Sequence, residues 1–270
     1  MTTLHDHLDH LEARIAAACR AAGRPRSEVE LMAVSKTFPA EAILEAVSLG
    51  LTLFGENRVQ EFSAKAGPLQ TLRAGRPILS PHSGERAGDH AASPSAIRVH
   101  LIGHLQSNKA QRAAELFDGI DSLDSIRLAE RLNNAAAQFG KRLPVLLEVK
   151  LSPEESKEGL DPEFPATQEL LERLPDLVHL EVNGLMTIAP WGAPEDQTRA
   201  CFRSLRLWRD RWAAAHPRLN LTALSMGMSG DFELAIAEGA TRIRVGTALF
   251  GKRDPNAIRA AAAADSGEPA

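Results

Sequence analysis

Residues 31–36 read Leu-Met-Ala-Val-Ser-Lys, and Thr37-Phe38-Pro39 follow. The apolar run is short and stops before a proline, which predicts a buried strand rather than a helix. It shows no alternation of apolar and polar residues, so both faces of the strand are expected to be covered, as in a parallel sheet flanked by helices. Lys36 then stands at the strand's carboxyl end, where α/β barrels place their chemistry. A lysine there can form a Schiff base once a dry pocket or a neighbouring cation has removed its proton. Taken alone, the stretch reads more simply as a solvated lysine closing a strand.

The same unit recurs along the chain. Ahead of it, Leu4, Leu8, Leu11, Ile15, Ala18 and Ala22 follow a helical spacing that ends near Gly23 and Pro25, predicting an amphipathic first helix. Further strands are predicted at 51–54, 99–103, around Ile120, and at 144–149, 177–185, 221–224 and 242–245. Helical patterns separate them, including 126–139, 196–215 and 231–237, with a last one at 255–264. The Ile120 strand has the weakest pattern, with Asp118, Gly119, Asp121 and Ser122 around one apolar residue. In the 196–215 helix, Phe202, Leu205, Trp208 and Trp212 fall on one side and read as core.

Alternating strands and helices imply parallel βαβ units, and eight units imply a closed barrel rather than an open doubly wound sheet. No glycine-rich dinucleotide turn follows the first strand. The expected fold is therefore α/β: a single (β/α)8 TIM-type barrel with an extra N-terminal helix, spanning 1–264, then a disordered tail at 265–270. Residues 67–97, rich in Gly, Pro, Ser, Arg and His, lack a period and predict a surface insertion. His82 and His90 within it have no metal-ligand spacing.

The 31 basic and 35 acidic residues leave a net charge of −4. That argues against broad nucleic-acid binding through phosphates but not against one small anion. Two cysteines, Cys19 and Cys201, lie far apart and suggest neither a metal site nor a disulfide framework. A reducing cytosol fits them. The start shows no signal-peptide pattern, and no stretch approaches the ~20 apolar residues of a membrane span. A cytoplasmic monomer is expected, with no metal, membrane or nucleic-acid partner. The chain contains no tyrosine.

Barrels often bind phosphate on the loops after their last two strands. Here these are Met226-Gly227-Met228-Ser229-Gly230 and Gly246-Thr247. Glycines allow close backbone approach, Met228 lies within the first loop, and Ser229 and Thr247 offer hydroxyls. Asp231 and Glu233 follow at once and would repel a phosphate unless they point outward. Arg244, two residues before Gly246, should face the barrel interior. It is either the partner of a buried carboxylate such as Glu148 or Glu181, or a cation facing a ligand ring. Asn57 suits a ligand hydroxyl or a turn. Gln106, Asn108 and Lys109 carry the same ambiguity, and Lys150 and Lys157 rival Lys36.

Several segments together resemble a known family, the pyridoxal phosphate homeostasis proteins, related to the barrel domain of alanine racemase. They are Ala33-Val34-Ser35-Lys36-Thr37, Phe54-Gly55-Glu56-Asn57, Ile102 to Lys109, Gly184-Leu185-Met186, Leu224 to Ser229, and Arg244 to Gly251. The resemblance implies a pyridoxal 5′-phosphate-binding protein that holds the cofactor as an internal aldimine on Lys36 and buffers or delivers it. Apo pyridoxal-phosphate enzymes would be its partners. It implies that Ser229, Gly246 and Thr247 hold the phosphate, with Met228 beside them, that Arg244 faces the pyridine nitrogen, and that Asn57 lies near the ring. Arg58 departs from the tyrosine common at that position. The alternatives are an amino-acid racemase using the same aldimine and a phosphosugar aldolase using Lys36.

Overall fold

In the computed structural model, which describes residues 2–73, 96–152 and 158–252, β1 (Glu30–Val34) is buried from Leu31 onward. The strands that follow are β2 (Leu53–Glu56), β3 (Arg98–Leu101), β4 (Gly119–Leu123), β5 (Leu143–Glu148), β6 (Leu180–Met186), β7 (Ala223–Ser225) and β8 (Arg242–Val245). They form a closed barrel in sequence order. Closure is made by parallel pairing of β1 with β8, with Met32 opposite Arg244 and Ala33 opposite Val245. The predicted barrel is therefore the observed one.

The connecting helices are α2 (Ala40–Ser48), α3 (Val59–Arg73), α4 (Ala110–Leu116), α5 (Ile126–Gln138), α6 (Pro165–Arg173), α7 (Glu195–Ala215), α8 (Phe232–Ala237) and α9 (Thr247–Phe250). Alternation splits each strand between two environments. Leu31, Ala33, Phe54, Val99, Ile120 and Leu147 join the apolar layer under the helices. Glu30, Met32, His100, Asp121, Arg242 and Arg244 fall on the other face, inside the barrel.

The N-terminal helix α1 (Leu4–Ala21) begins with a capping box in which Thr3 and Asp6 each accept the other's backbone N–H. It packs over the end of the barrel sequence: Arg14 pairs with Glu233 of α8 at 2.6 Å, and His7 Nδ1 lies 2.9 Å from the Leu249 carbonyl of α9. Trp212 is buried in α7 with the half-buried Trp208 against it, the rings tilted at 47°, as the helical spacing suggested.

The interior floor is charged. Asp121 receives Arg242 Nη1 at 3.0 Å and lies 2.8 Å from His100 Nδ1, while Arg242 also pairs with Glu30 at 2.8 Å. Burial pushes the Asp121 carboxyl up, but His100 and Arg242 together outweigh it and hold it below the usual range.

Part of the stretch expected as a surface insertion is helical. Residues 67–73 are the last turns of α3, with Leu69 and Leu72 buried. Pro68 sits inside that helix. Residues 74–95, with His82 and His90, lie outside the described residues, as do the predicted 255–264 helix and the tail. A short helix over 247–250 follows β8 directly and was not anticipated.

Candidate functional site

Lys36 leaves the barrel just beyond β1 on a backbone that is still fixed, since Ser35 N donates to Gly55 O at 3.0 Å. Its Nζ lies 3.4 Å from Oδ1 of Asn57, the residue after β2. Gly103 permits this placement, because a Cβ there would come within 2.3 Å of the Asn57 carbonyl oxygen.

The facing wall comes from β7 and β8. Gly227 turns the β7 loop at φ +92°, and a Cβ on it would meet Ala235 Cβ at 2.6 Å. Arg244 N donates to Gly227 O at 2.9 Å, and Ala248 N donates to Ser229 Oγ at 3.3 Å, so the two loops are tied together. The rings of Phe38 and Phe250 lie 5.0 Å apart, which brings the segment after Lys36 against α9. Lys36, Asn57, Met228, Ser229, Arg244, Gly246 and Thr247 thus share the carboxyl-end mouth of the barrel. Gly246 is buried, Met228 and Ser229 are half-buried, and Thr247 is exposed.

The two nearby carboxylates behave differently. Glu233 turns outward to Arg14. Asp231 instead accepts the Met228 N–H at 2.5 Å. Burial pushes the Asp231 carboxyl up, and that hydrogen bond opposes the rise without cancelling it.

Arg244 does face inward, but its contacts are not the carboxylates named from sequence. Its guanidinium donates to Ser225 Oγ at 2.9 Å and to the Thr187 carbonyl at 2.8 Å, while Glu181 is exposed near the start of β6. Burial lowers its pKa against the pull of Asp121, Glu148 and Asp231. Arginine stays charged even so.

Beside Asn57, where β2, β3, β5 and β6 end, opens a cavity of about 250 Å³, lined by Asn57, Ile102, Gly103, Glu148, Lys150 and Ile188 among others; Lys36 and the β7 and β8 loops are not among its lining residues. Glu148 is buried, and its Oε2 makes no hydrogen bond among the described residues. Burial, then repulsion from Asp124, pushes its carboxyl up to about 7, against the attraction of Arg244. A buried polar atom without a partner beside an open cavity is what a ligand-binding wall provides. A primary amine, an amide, a fixed cation and a glycine-turned loop with hydroxyls are a suitable donor set for an aldehyde-bearing aromatic phosphate.

Of the rival lysines, Lys150 lines the same cavity, with its N–H held by the Leu160 carbonyl at 2.9 Å. Lys157 lies outside the described residues. Gln106 and Asn108 border a second, more open hollow with Asp124 and Arg131, which meets the first cavity at His104. The sequence reading overlooked Ser35, Glu56, Glu61 and Lys65, which cluster under Lys36. The i,i+4 spacing of Glu61 and Lys65 on a helix was the available signal.

The family model for the alanine racemase N-terminal domain matches residues 7–254. A pyridoxal phosphate homeostasis protein of Vibrio cholerae is 39% identical over 256 residues, covering 94% of this chain and 98% of the relative. That of Escherichia coli K12 is 36% identical, covering 94% and 98%. Among solved structures, PipY of Synechococcus elongatus with PLP bound is 42% identical at a TM-score of 0.72, covering 89% of this chain and all of that one. An alanine racemase from Streptomyces coelicolor, 21% identical with a TM-score of 0.59, shares the fold over 90% of this chain and 58% of its own. Identity sustained end to end over a matching barrel shows that the chain belongs to the pyridoxal phosphate homeostasis protein family, within the group built on the alanine racemase N-terminal barrel.

Proposed function

We propose that this protein binds pyridoxal 5′-phosphate through a Schiff base on Lys36 and serves intracellular cofactor homeostasis by buffering or delivering it. The observation that carries the reading is the meeting of Lys36 and Asn57 with the tied β7 and β8 loops at one barrel mouth. The membership of the chain in a family so named, and a relative of like length with PLP bound, support it. In this reading Lys36 supplies the amine and Asn57 steadies it. Ser229, Gly246 and Thr247 hold the phosphate with Met228 beside them, and Arg244 faces the pyridine nitrogen. The bound cofactor supplies an electrophilic carbonyl carbon and an electron-accepting ring.

The residues favour holding over turnover. A fixed guanidinium opposite the ring nitrogen disfavours its protonation, and an unprotonated ring is a poorer electron sink. A two-base racemase also needs a second acid or base opposite the lysine; in alanine racemase this is a tyrosine, and the chain has none. The same proposal makes the protein a cytoplasmic monomer whose partners are apo pyridoxal-phosphate enzymes. Its buried cysteines, Cys19 and Cys201, suit a reducing compartment.

The loaded protein should activate an apo pyridoxal-phosphate enzyme and should racemise L-alanine no faster than free cofactor does. Rapid racemisation without transfer of cofactor would favour the enzyme instead.

A further inference from the structure

Lys36 is flanked by two residues whose backbones are gripped by one charged cluster. On its N-terminal side, the Ser35 carbonyl accepts from Lys65 Nζ at 3.1 Å, and Ser35 Oγ donates to Glu56 Oε1 at 2.7 Å. On its C-terminal side, Thr37 N donates to Glu61 Oε1 at 2.5 Å. Lys65 joins the two grips, donating to Glu56 at 3.0 Å and to Glu61 at 2.7 Å. The cluster is almost dry: Glu56 is fully buried, and the side chains of Lys65 and Glu61 are 11% and 13% exposed.

The backbone at the grip is strained. Thr37 has φ 68°, the one non-glycine residue with positive φ among those described. A β-branched residue is disfavoured there, and such conformations persist where the surroundings over-determine them. Its buried Oγ1 makes no hydrogen bond among the described residues. The Glu61 carboxylate accepts its N–H, and Lys65 fixes Glu61 in turn. The strain lies next to the lysine at the barrel mouth.

We infer that Lys65, acting through Glu61 and Glu56, is a positioning residue that clamps Ser35 and Thr37 and so aims the Lys36 amine. The inference rests on the cofactor reading above for its consequence but not for its geometry. Among the described residues Lys65 hydrogen-bonds to Ser35, Glu56 and Glu61 and is not one of those lining the cavity, so losing it should disturb the amine without disturbing anion binding. Burial pushes the Glu56 carboxyl up to about 7, against the attraction of Lys65. Without Lys65 that carboxyl can take a proton rather than remain a buried charge, which favours a folded variant.

The test compares wild type with Lys65→Met, Lys65→Arg and Glu61→Ala. The last removes the Thr37 grip and one partner of Lys65, leaves the Ser35 grip, and serves if Lys65→Met does not fold. Hydrogen exchange of the cofactor-free proteins should show at least tenfold faster exchange in the peptide spanning 35–38 for Lys65→Met and Glu61→Ala, with β4 and β5 unchanged. Schiff-base formation with pyridoxal 5′-phosphate should slow at least tenfold in both. Binding of pyridoxamine 5′-phosphate, which has the phosphate but no aldehyde, should change less than threefold, and Lys65→Arg should recover most of the rate. Unchanged exchange at 35–38, or equal loss of both ligands, overturns the clamp. If wild type forms no Schiff base at all, the cofactor reading fails, and the exchange measurement still decides the clamp.

Discussion

A chain carrying Ser229→Ala and Thr247→Ala together is expected to bind pyridoxal 5′-phosphate roughly 100-fold more weakly, while phosphate-free pyridoxal stays within about threefold of wild type. Each hydroxyl is proposed to donate to a charged phosphate oxygen, an interaction of ~1.5–3 kcal/mol, and ~1.4 kcal/mol is a factor of ten. Ser229 contributes twice, since its Oγ also accepts the Ala248 N–H that ties the β7 loop to α9. Thr247 is exposed and offers its hydroxyl from the other loop. The Asp231 carboxylate already holds the Met228 N–H, so that backbone group is committed before any anion arrives. The two hydroxyls therefore carry more of the discrimination than the loop backbone alone would suggest. Parallel titrations with the two ligands check this. Equal weakening of both would remove the phosphate role of these residues.

Asp121→Ala should cost ~3 kcal/mol of stability or more at neutral pH, because breaking a buried charge pair leaves the other charge uncompensated. Asp121 is 1% exposed and faces Arg242 and His100 inside the barrel. Arg242 keeps Glu30 as a second partner, which bounds the loss. The pH dependence follows from direction alone. The folded-state carboxyl is held below its ordinary value of 3.8. Its contribution is thus fully present above that value and fades as pH falls through the lower folded-state pKa. The gap between wild type and variant in urea unfolding should be wide at pH 7 and narrow in acid. A gap that stayed constant down to pH 2 would show that the pair does not act through its charge.

The barrel was legible because its strands are buried on both faces and read as short apolar runs between helical patterns. β4 was hardest to see for a physical reason: Asp121 and Ser122 belong to the buried interior rather than to a loop, so polarity misrepresents burial there. The end of α3 was lost to Gly67 and Pro68, which usually break helices; burial of Leu69 and Leu72 carries the helix through them. The candidate site residues were named through motif order, whereas spacing alone left Arg244 and Asn57 ambiguous. Arg244 was placed correctly inside the barrel but with the wrong contacts, since a hydroxyl and a main-chain carbonyl can satisfy a guanidinium without an ion pair. The Glu56–Lys65–Glu61 cluster escaped because its members reach Ser35 and Thr37 only after β2 and α3 have packed against β1.

Borohydride reduction of the protein loaded with pyridoxal 5′-phosphate, followed by peptide mapping, tests the central assignment most directly. The cofactor should be fixed to the peptide containing Lys36, and Lys36→Ala should abolish both the label and the visible absorbance band. A label on Lys150 or Lys157 in the wild-type protein, or an undiminished band in Lys36→Ala, would contradict the assignment.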